Sequence, residues 1–284
     1  STTLLFKGIS NGGLLAMSSK KETPIKTIGF VFLVCLVCAA LVSIAASSLK
    51  PLQQANKLLD KQTKILEASG LLAIALQAEN IKASGSEPKS IVSTFEKYVE
   101  AKMIDLDSGT IIEGNTDIFD ERSDSRDLAK SSKPKNDIAG INRRANSAVV
   151  YLVSNEQGQL DTIVLPIVGL GLWDLMYGYV GLANDLNTVK SVVYSDHKET
   201  PGLGAEVLNP RWKALWPGKK MFDDNNKIAI KIVKGGAKKD DVHGVDALSG
   251  ATLTSNGVQH TLHFWLGDEG YGPFITKFRD GGLN

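Results

Sequence analysis

"AVVYLVSNEQGQLDTIVLPIVG" runs from Ala148 to Gly169 and carries a period-two, β-branched pattern. The apolar residues on either side of Asn155–Gln159 read as two strands, with that polar stretch as the hairpin turn. Downstream, "TVKSVVYSDH" and "KIAIKIVKGG" read as further strands. Between them lie the Gly/Pro-rich loops "GLGLWDLMYGY" and "ETPGLGAEVLNPRWKALWPGKK". "TSNGVQHTLHFWLG" then returns to helical spacing from about Thr254, with Val258, Leu262, Trp265 and Leu266 on one face. Strands in a run with helices at either end make the fold class α+β.

Upstream of Ala148 the periodicity is helical. "KSIVSTFEKYVEAKMIDL" places Ile91, Val92, Phe95, Tyr98 and Val99 on one face. "PLQQANKLLDKQTKILEASGLL" repeats Leu52, Ala55, Leu58, Leu59, Ile65 and Leu66 at three- and four-residue spacing; Pro51 suits a first turn and Gly70 a stop. "DERSDSRDLAKSSKPKND" mixes charges of both signs and reads as a solvated loop or surface helix. Ahead of these, "IGFVFLVCLVCAALVSIAASSL", Ile28 to Leu49, is 22 residues without a charge. A helix of that length spans about 30 Å, the hydrocarbon thickness of a bilayer. It reads as one transmembrane helix. A cleaved signal peptide with a small-residue site near Ala45 is the rival, against which the apolar run is long. The expected organisation is an N-terminal tail at 1–27, a transmembrane helix at 28–49, a helical stalk and charged α-rich region at 50–144, and a mixed sheet-plus-helix domain at 145–284. "MSSKKETP" from Met17 reads as a natural start, which makes residues 1–16 an upstream extension.

Composition excludes several classes. Of 284 residues, 22% are charged and the formal net charge is +1, so no basic field points to nucleic acid. The four histidines and two cysteines show no metal-ligand spacing. Cys35 and Cys38 form a C-x-x-C inside the apolar run, where small packing residues are the expected reading rather than a redox pair. The segment after Leu49 has no cysteine, which suits either side of a membrane. Lys20, Lys21 and Lys26 before the apolar run, against Lys50, Lys57, Lys61 and Lys64 after it, give only a weak orientation bias.

The chemistry concentrates in "DALSGATLTS", Asp246 to Ser255. Hydroxyls at Ser249, Thr252, Thr254 and Ser255 surround Gly250 and Ala251, just ahead of the last helical pattern. One reading is an N-cap, in which a Ser or Thr side chain satisfies the free amides of the helix start, worth about 1 kcal/mol. The other is an anion site, where unpaired N–H groups and the positive end of the helix dipole favour a phosphate and the small residues let it approach. No G-K-[ST] follows, so the stretch is not a P-loop, and no G-x-S-x-G elbow is present. A threonine hydroxyl in this setting is also able to hold a phosphate covalently, as an ester.

With its acid, hydroxyl, Gly, Ala and final Thr, "DALSGATLTS" resembles the flavinylation motif of the covalent FMN-binding domains of membrane redox pumps. "ETPGLG" (Glu199 to Gly204), "NPRWKALWPGKKMFD", "KIVKGG" (Lys231 to Gly236), "GPFITKFRDGGLN", "LDKQTKIL" and "RRANSAVVYLV" are similar to the C-subunit family of Na+-translocating NADH:quinone oxidoreductases, from Met17 to Asn284. The G subunit of Rnf complexes shares the flavin motif and is the alternative within the redox class. A non-redox anchored binding module whose "SGAT" is only a cap is the alternative outside it.

The resemblance implies FMN esterified to Thr252 by a separate flavin transferase. Ser249, Gly250, Ala251, Leu253, Thr254 and Ser255 would lie around the phosphate. Glu199, Thr200, Gly202, Leu203 and Gly204 would form a loop beside the ring. Lys234, before Gly235, would either favour a negatively charged reduced flavin or be a solvated lysine at a strand end. Leu172 and Trp173 would pack on the flavin or, on the plainer reading, in the core, and Asp246 would belong to the motif. His243, His197, His260 and His263 receive no role. The family implies a relay of single electrons from an iron–sulfur centre to the FMN of the B subunit. It also implies sister subunits (A, B, D, E and F), membrane lipid around the anchor, and a soluble domain in the periplasm of a bacterial inner membrane.

Overall fold

The computed structural model describes residues 24–77 and 87–281; the reading of residues 1–16 lies outside them. Two compact units divide between Ala55 and Asn56. Helix α1, Pro24–Ser69, contains an apolar window of mean hydropathy 2.9 with none of its surface buried, and is long enough to cross a membrane. Cys35 and Cys38 are exposed there, unpaired with each other. Gly70, at φ +82°, ends α1 as the sequence predicts, because a left-handed residue suits glycine. Pro51 is not a first-turn residue: it lies inside α1, where its missing N–H withdraws one rung from the helical ladder.

The strands of the second unit are, in chain order, β1 (Val99–Asp105), β2 (Ile111–Ile112), β3 (Ser131–Ser132), β4 (Arg144–Ala145), β5 (Ser147–Ser154), β6 (Leu160–Leu170), β7 (Leu175–Ala183), β8 (Val189–Asp196), β9 (Lys231–Val233) and β10 (Gly244–Asp246). Six of them form one antiparallel sheet in the order β2-β1-β5-β6-β7-β8. The expected hairpin is β5–β6, its turn closed by Asn155, whose Oδ1 accepts from the amides of Gln157 (3.0 Å) and Gln159 (2.9 Å). Two smaller pairs stand apart: β3 with β4, antiparallel, and β9 with β10, parallel. The remaining helices are α2 (Leu72–Gln77), α3 (Glu87–Tyr98), α4 (Glu121–Asp124), α5 (Pro210–Lys213), α6 (Thr252–Leu266) and α7 (Gly272–Arg279).

Both faces of the sheet are covered. Val150, Ile163, Leu165, Ile167 and Val180 face Val258, Leu262 and Trp265 of α6 and Phe274 of α7. Val149, Tyr151, Val153, Val164 and Val193 point the other way and bury Ile65 and Ala68 of α1. The alternation of successive side chains between faces is what gives the two cores from one set of strands.

The structure corrects four further readings. The helical stretch predicted through Leu106 stops at Tyr98; Val99–Asp105 is a strand paired with β5 along its whole length, so the sheet begins ahead of residue 145. Val99, Ala101 and Met103 pack on one face and Ile104 on the other, an alternation masked by its helical-looking overlap with Phe95 and Tyr98. "GLGLWDLMYGY" is mostly strand, because β6 and β7 are joined by a tight turn in which the Gly171 amide donates to the Asp174 carbonyl at 2.9 Å. Nearby glycines lie where neighbours approach: a Cβ on Gly181 would sit 1.9 Å from the Ala68 carbonyl oxygen. The strand read in "KIAIKIVKGG" is only Lys231–Val233, since the Ala229 and Ile230 amides both turn to the Met221 carbonyl. The last helix starts at Thr252 rather than Thr254.

Candidate functional site

The N-terminus of α6 is built by the segment before it. Asn209 caps α5 through the Arg211 amide (2.9 Å) and Pro210 occupies the first turn, which presents Trp212 inward. The Trp212 indole N–H donates to the Asp246 carbonyl at 2.9 Å and fixes the end of β10. The Asp246 carboxylate accepts from the Ala237 amide (2.7 Å), tying the β9–β10 connection to the start of the motif. Gly250 then turns with φ +72°, and α6 begins two residues later.

The four hydroxyls divide into two pairs. Thr254 and Ser255 are buried. Ser255 Oγ accepts from the Leu248 amide at 3.0 Å and closes the loop, while the Thr254 hydroxyl donates to Glu199 Oε2. Ser249 and Thr252 are exposed, and their hydroxyls take part in no hydrogen bond among the described residues. The residue at the cap is Ala251, which offers no side-chain acceptor, so the N-cap reading of this stretch is overturned. The first-turn amides of α6 are left without a side-chain partner among the described residues. Thr252 thus presents a free hydroxyl at the positive end of a 15-residue helix.

Glu199 is the hub beneath that surface. It is 5% exposed. Its Oε1 accepts from the amides of Leu172 (2.8 Å) and Trp173 (3.1 Å), and its Oε2 accepts from Thr254. The sequence reading placed Glu199 and Thr254 at the cofactor; the structure places both side chains underneath, bonded to each other. The Trp173 indole N–H donates to Thr200 Oγ1 at 3.1 Å, and a Cβ at Gly250 would sit 3.0 Å from Leu203 Cδ2. Residues 171–173, 199–204 and 249–255 therefore meet in space. Gly171 was missed by sequence reading, yet a Cβ there would lie 2.5 Å from Glu199 Oε1; only its partners, distant in the chain, reveal why it is glycine.

Apolar side chains of these three segments remain in solvent. Leu172 is 43% exposed, Trp173 66%, Leu203 43% and Leu253 60%. Burial of such surface is worth about 25 cal/mol per Å², so the rim favours a flat apolar ligand. At its edge Lys198 pairs with Asp174, whose carboxyl is held below its ordinary range by that hydrogen bond. Lys234 and Gly235 follow Val233, the partner of Asp246 in β9–β10. Lys234 is exposed and forms no ion pair among the described residues. No group of His, Cys, Asp and Glu among the described residues is arranged to hold a metal. His243 and His263 are occupied by the carbonyls of Lys220 and Ile230.

These features fit what FMN needs: a hydroxyl on a helix N-terminus for the phosphate, backbone without bulk beside it, and an apolar rim for the ring. Comparison with known proteins agrees. The family described as FMN-binding domain matches residues 171–267. The C subunit of the Na(+)-translocating NADH-quinone reductase of Vibrio alginolyticus is 47% identical over 270 residues, covering 94% of this chain and all of the relative. That of Yersinia pestis is 45% identical over 260 residues, covering 91% of this chain and 94% of the relative. The crystal structure of Shewanella oneidensis NqrC superposes with a TM-score of 0.70 at 41% identity, over 80% of this chain and 99% of that one. The C subunit from Parabacteroides distasonis superposes with a TM-score of 0.61 at 26% identity, over 80% and 97%. With its FMN-binding domain and its apolar N-terminal helix, the chain belongs to the C-subunit family of Na(+)-translocating NADH-quinone reductases, a membrane-associated component of an enzyme complex.

Proposed function

We propose that the chain carries FMN covalently, as a phosphoester on Thr252. The observation that carries this reading is the exposed, unbonded Thr252 hydroxyl at the first position of α6, beside exposed Leu253 and in the same loop cluster as exposed Leu203, Leu172 and Trp173. An ester phosphate keeps one negative charge, which the free amides of the first turn and the helix dipole stabilise. Gly250 keeps side-chain bulk away from it. The rim residues cover one side of a ring system and exclude water, and Thr200, Gly202 and Gly204 complete the loop beside it. Lys234 supplies a positive charge that favours added negative charge on a ligand. Bound there, FMN supplies one-electron chemistry, relaying electrons between an iron–sulfur centre and the FMN of the B subunit. Thr252 would act as a nucleophile once: its hydroxyl oxygen bonds to the flavin-side phosphorus of FAD as the pyrophosphate bond breaks and AMP leaves, with the hydroxyl proton passing to solvent, while Asp246 holds the loop.

The same reading assigns the chain to the bacterial inner membrane, anchored by α1 in lipid, with residues from Asn56 onward periplasmic and in company with the A, B, D, E and F subunits. The test is direct. The chain is expressed with a flavin transferase, denatured, separated on a gel and viewed under ultraviolet light, beside Thr252→Val. A fluorescent band that disappears in the variant is the expected result. Dark bands in both, with the transferase active on another substrate, would sink the covalent reading.

A further inference from the structure

Glu199 has a buried carboxylate with three donors and no counter-ion among the described residues: the Leu172 and Trp173 amides at 2.8 and 3.1 Å, and the Thr254 hydroxyl. Two glycines make room for it. A Cβ on Gly171 would lie 2.5 Å from Oε1, and one on Gly204 would lie 2.3 Å from Oε2. The chain therefore gives up side chains on both sides to seat this one group. Its bonds join three segments far apart in sequence: the β6–β7 turn, the loop after β8, and the first turn of α6. The turn carries the exposed rim residues Leu172 and Trp173, and the helix carries Thr252.

We infer that Glu199 is the positioning residue of the flavin site, fixing the ring-bearing turn relative to the phosphate-bearing helix, and that its charge lowers the potential of the flavin held there. This rests on the covalent reading of Thr252. The mechanical part follows from the bonds: the two amides are the backbone of the residues that form the platform, and Thr254 lies two residues past Thr252. The electrical part follows from the donor pattern. All three bonds are donated to the carboxylate, the arrangement of an acceptor-only group. A negative charge in a poorly solvated place opposes the addition of another nearby, and no cation pairs with this one among the described residues.

Glu199→Gln separates the two effects. Its amide oxygen still accepts from Leu172 and Trp173, and its NH2 group donates to the Thr254 oxygen, so the staple stays and the charge goes. Glu199→Ala removes both. The full chain in detergent is compared after co-expression with a flavin transferase, at equal covalent flavin content, by visible circular dichroism and by redox titration. Amide hydrogen exchange is read separately in the Thr252→Val background, which lacks the ester. Glu199→Gln should keep the parent's dichroism and exchange, with a midpoint potential moved upward. Glu199→Ala should lose dichroic intensity, and the amides of Leu172 and Trp173 should exchange faster by about tenfold or more. An unmoved potential in Glu199→Gln would overturn the electrical part; parental exchange and dichroism in Glu199→Ala would overturn the positioning part. Should Glu199→Ala fail to fold, accelerated exchange at Leu172 and Trp173 in Thr254→Val, which removes one arm of the staple, stands in its place. A parent without covalent flavin would instead overturn the reading of Thr252 and the potential claim with it, while exchange still decides the staple.

Discussion

At the scale of single residues, the motif's hydroxyls differ in what their removal costs. Thr252→Val should abolish covalent flavin while changing the stability of the unflavinylated chain by less than about 0.5 kcal/mol, since the side chain is exposed and caps nothing. Thr254→Val should do the reverse in part: it deletes a donor to a buried carboxylate and should cost about 1–3 kcal/mol in denaturant unfolding. The motif itself was legible, because hydroxyls around Gly-Ala before a helix are a local pattern. The division of labour within it was not. Thr254 finds Glu199 across 55 positions, and Glu199 finds Leu172 across 27. No spacing rule reaches that far, which is why the bond between Glu199 and Thr254 was not legible in the motif alone.

At the scale of elements, α6 lies unusually close to β6 because two glycines permit it. A Cβ on Gly257 would sit 2.3 Å from the Leu170 carbonyl oxygen, and one on Gly169 would sit 1.9 Å from Thr261 Oγ1. In an ordinary helix interior Gly→Ala gains about 0.5–1 kcal/mol. Gly257→Ala should instead destabilise, and by lifting the helix from the sheet it should lower flavinylation yield, both measurable on one preparation. Helix α4 holds a second element-scale prediction. Burial pushes the Glu121 carboxyl up to about 7, partly offset by Arg122, while Asp120 pushes it further and Lys61 opposes. The folded chain therefore binds this proton more tightly than the unfolded one, so the stabilisation is complete at low pH and disappears as pH climbs through about 7. Glu121→Gln should match the parent in acid and become the more stable of the two above neutrality, as read by thermal melts across a pH series. The polar stretch around Glu121 reads as solvated from sequence alone, since nothing in "DERSDSRD" shows that Tyr151 and Tyr179 lie beside its glutamate.

At the scale of the whole molecule, the hairpin and the apolar run were both readable, the first from period-two alternation and the second from its length without charge. The extent of the sheet was not, because Val99–Asp105 continues a helical face on paper and changes period only when β5 pairs with it. The last turns of α1 are core rather than spacer: Ile65, Leu66 and Ala68 are fully buried. A chain beginning at Asn56 should remain folded, accept flavin and stay in the supernatant after ultracentrifugation. One beginning at Leu71 should unfold or aggregate, having lost two large aliphatic side chains worth about 1.5–3 kcal/mol each and uncovered Val149, Tyr151 and Val164.

The burial of Thr254 and Ser255 beside the exposure of Ser249 and Thr252 has a bearing on timing. An unfolded chain offers a modifying enzyme all four of the motif's hydroxyls; the folded domain offers two. Folding does what a protecting group does in synthesis, masking the competitors before the reagent arrives. On the covalent reading, order of events then governs product purity: a transferase that meets the finished fold chooses between Ser249 and Thr252 alone, and one that meets the nascent chain must also tell Thr252 from Thr254 and Ser255.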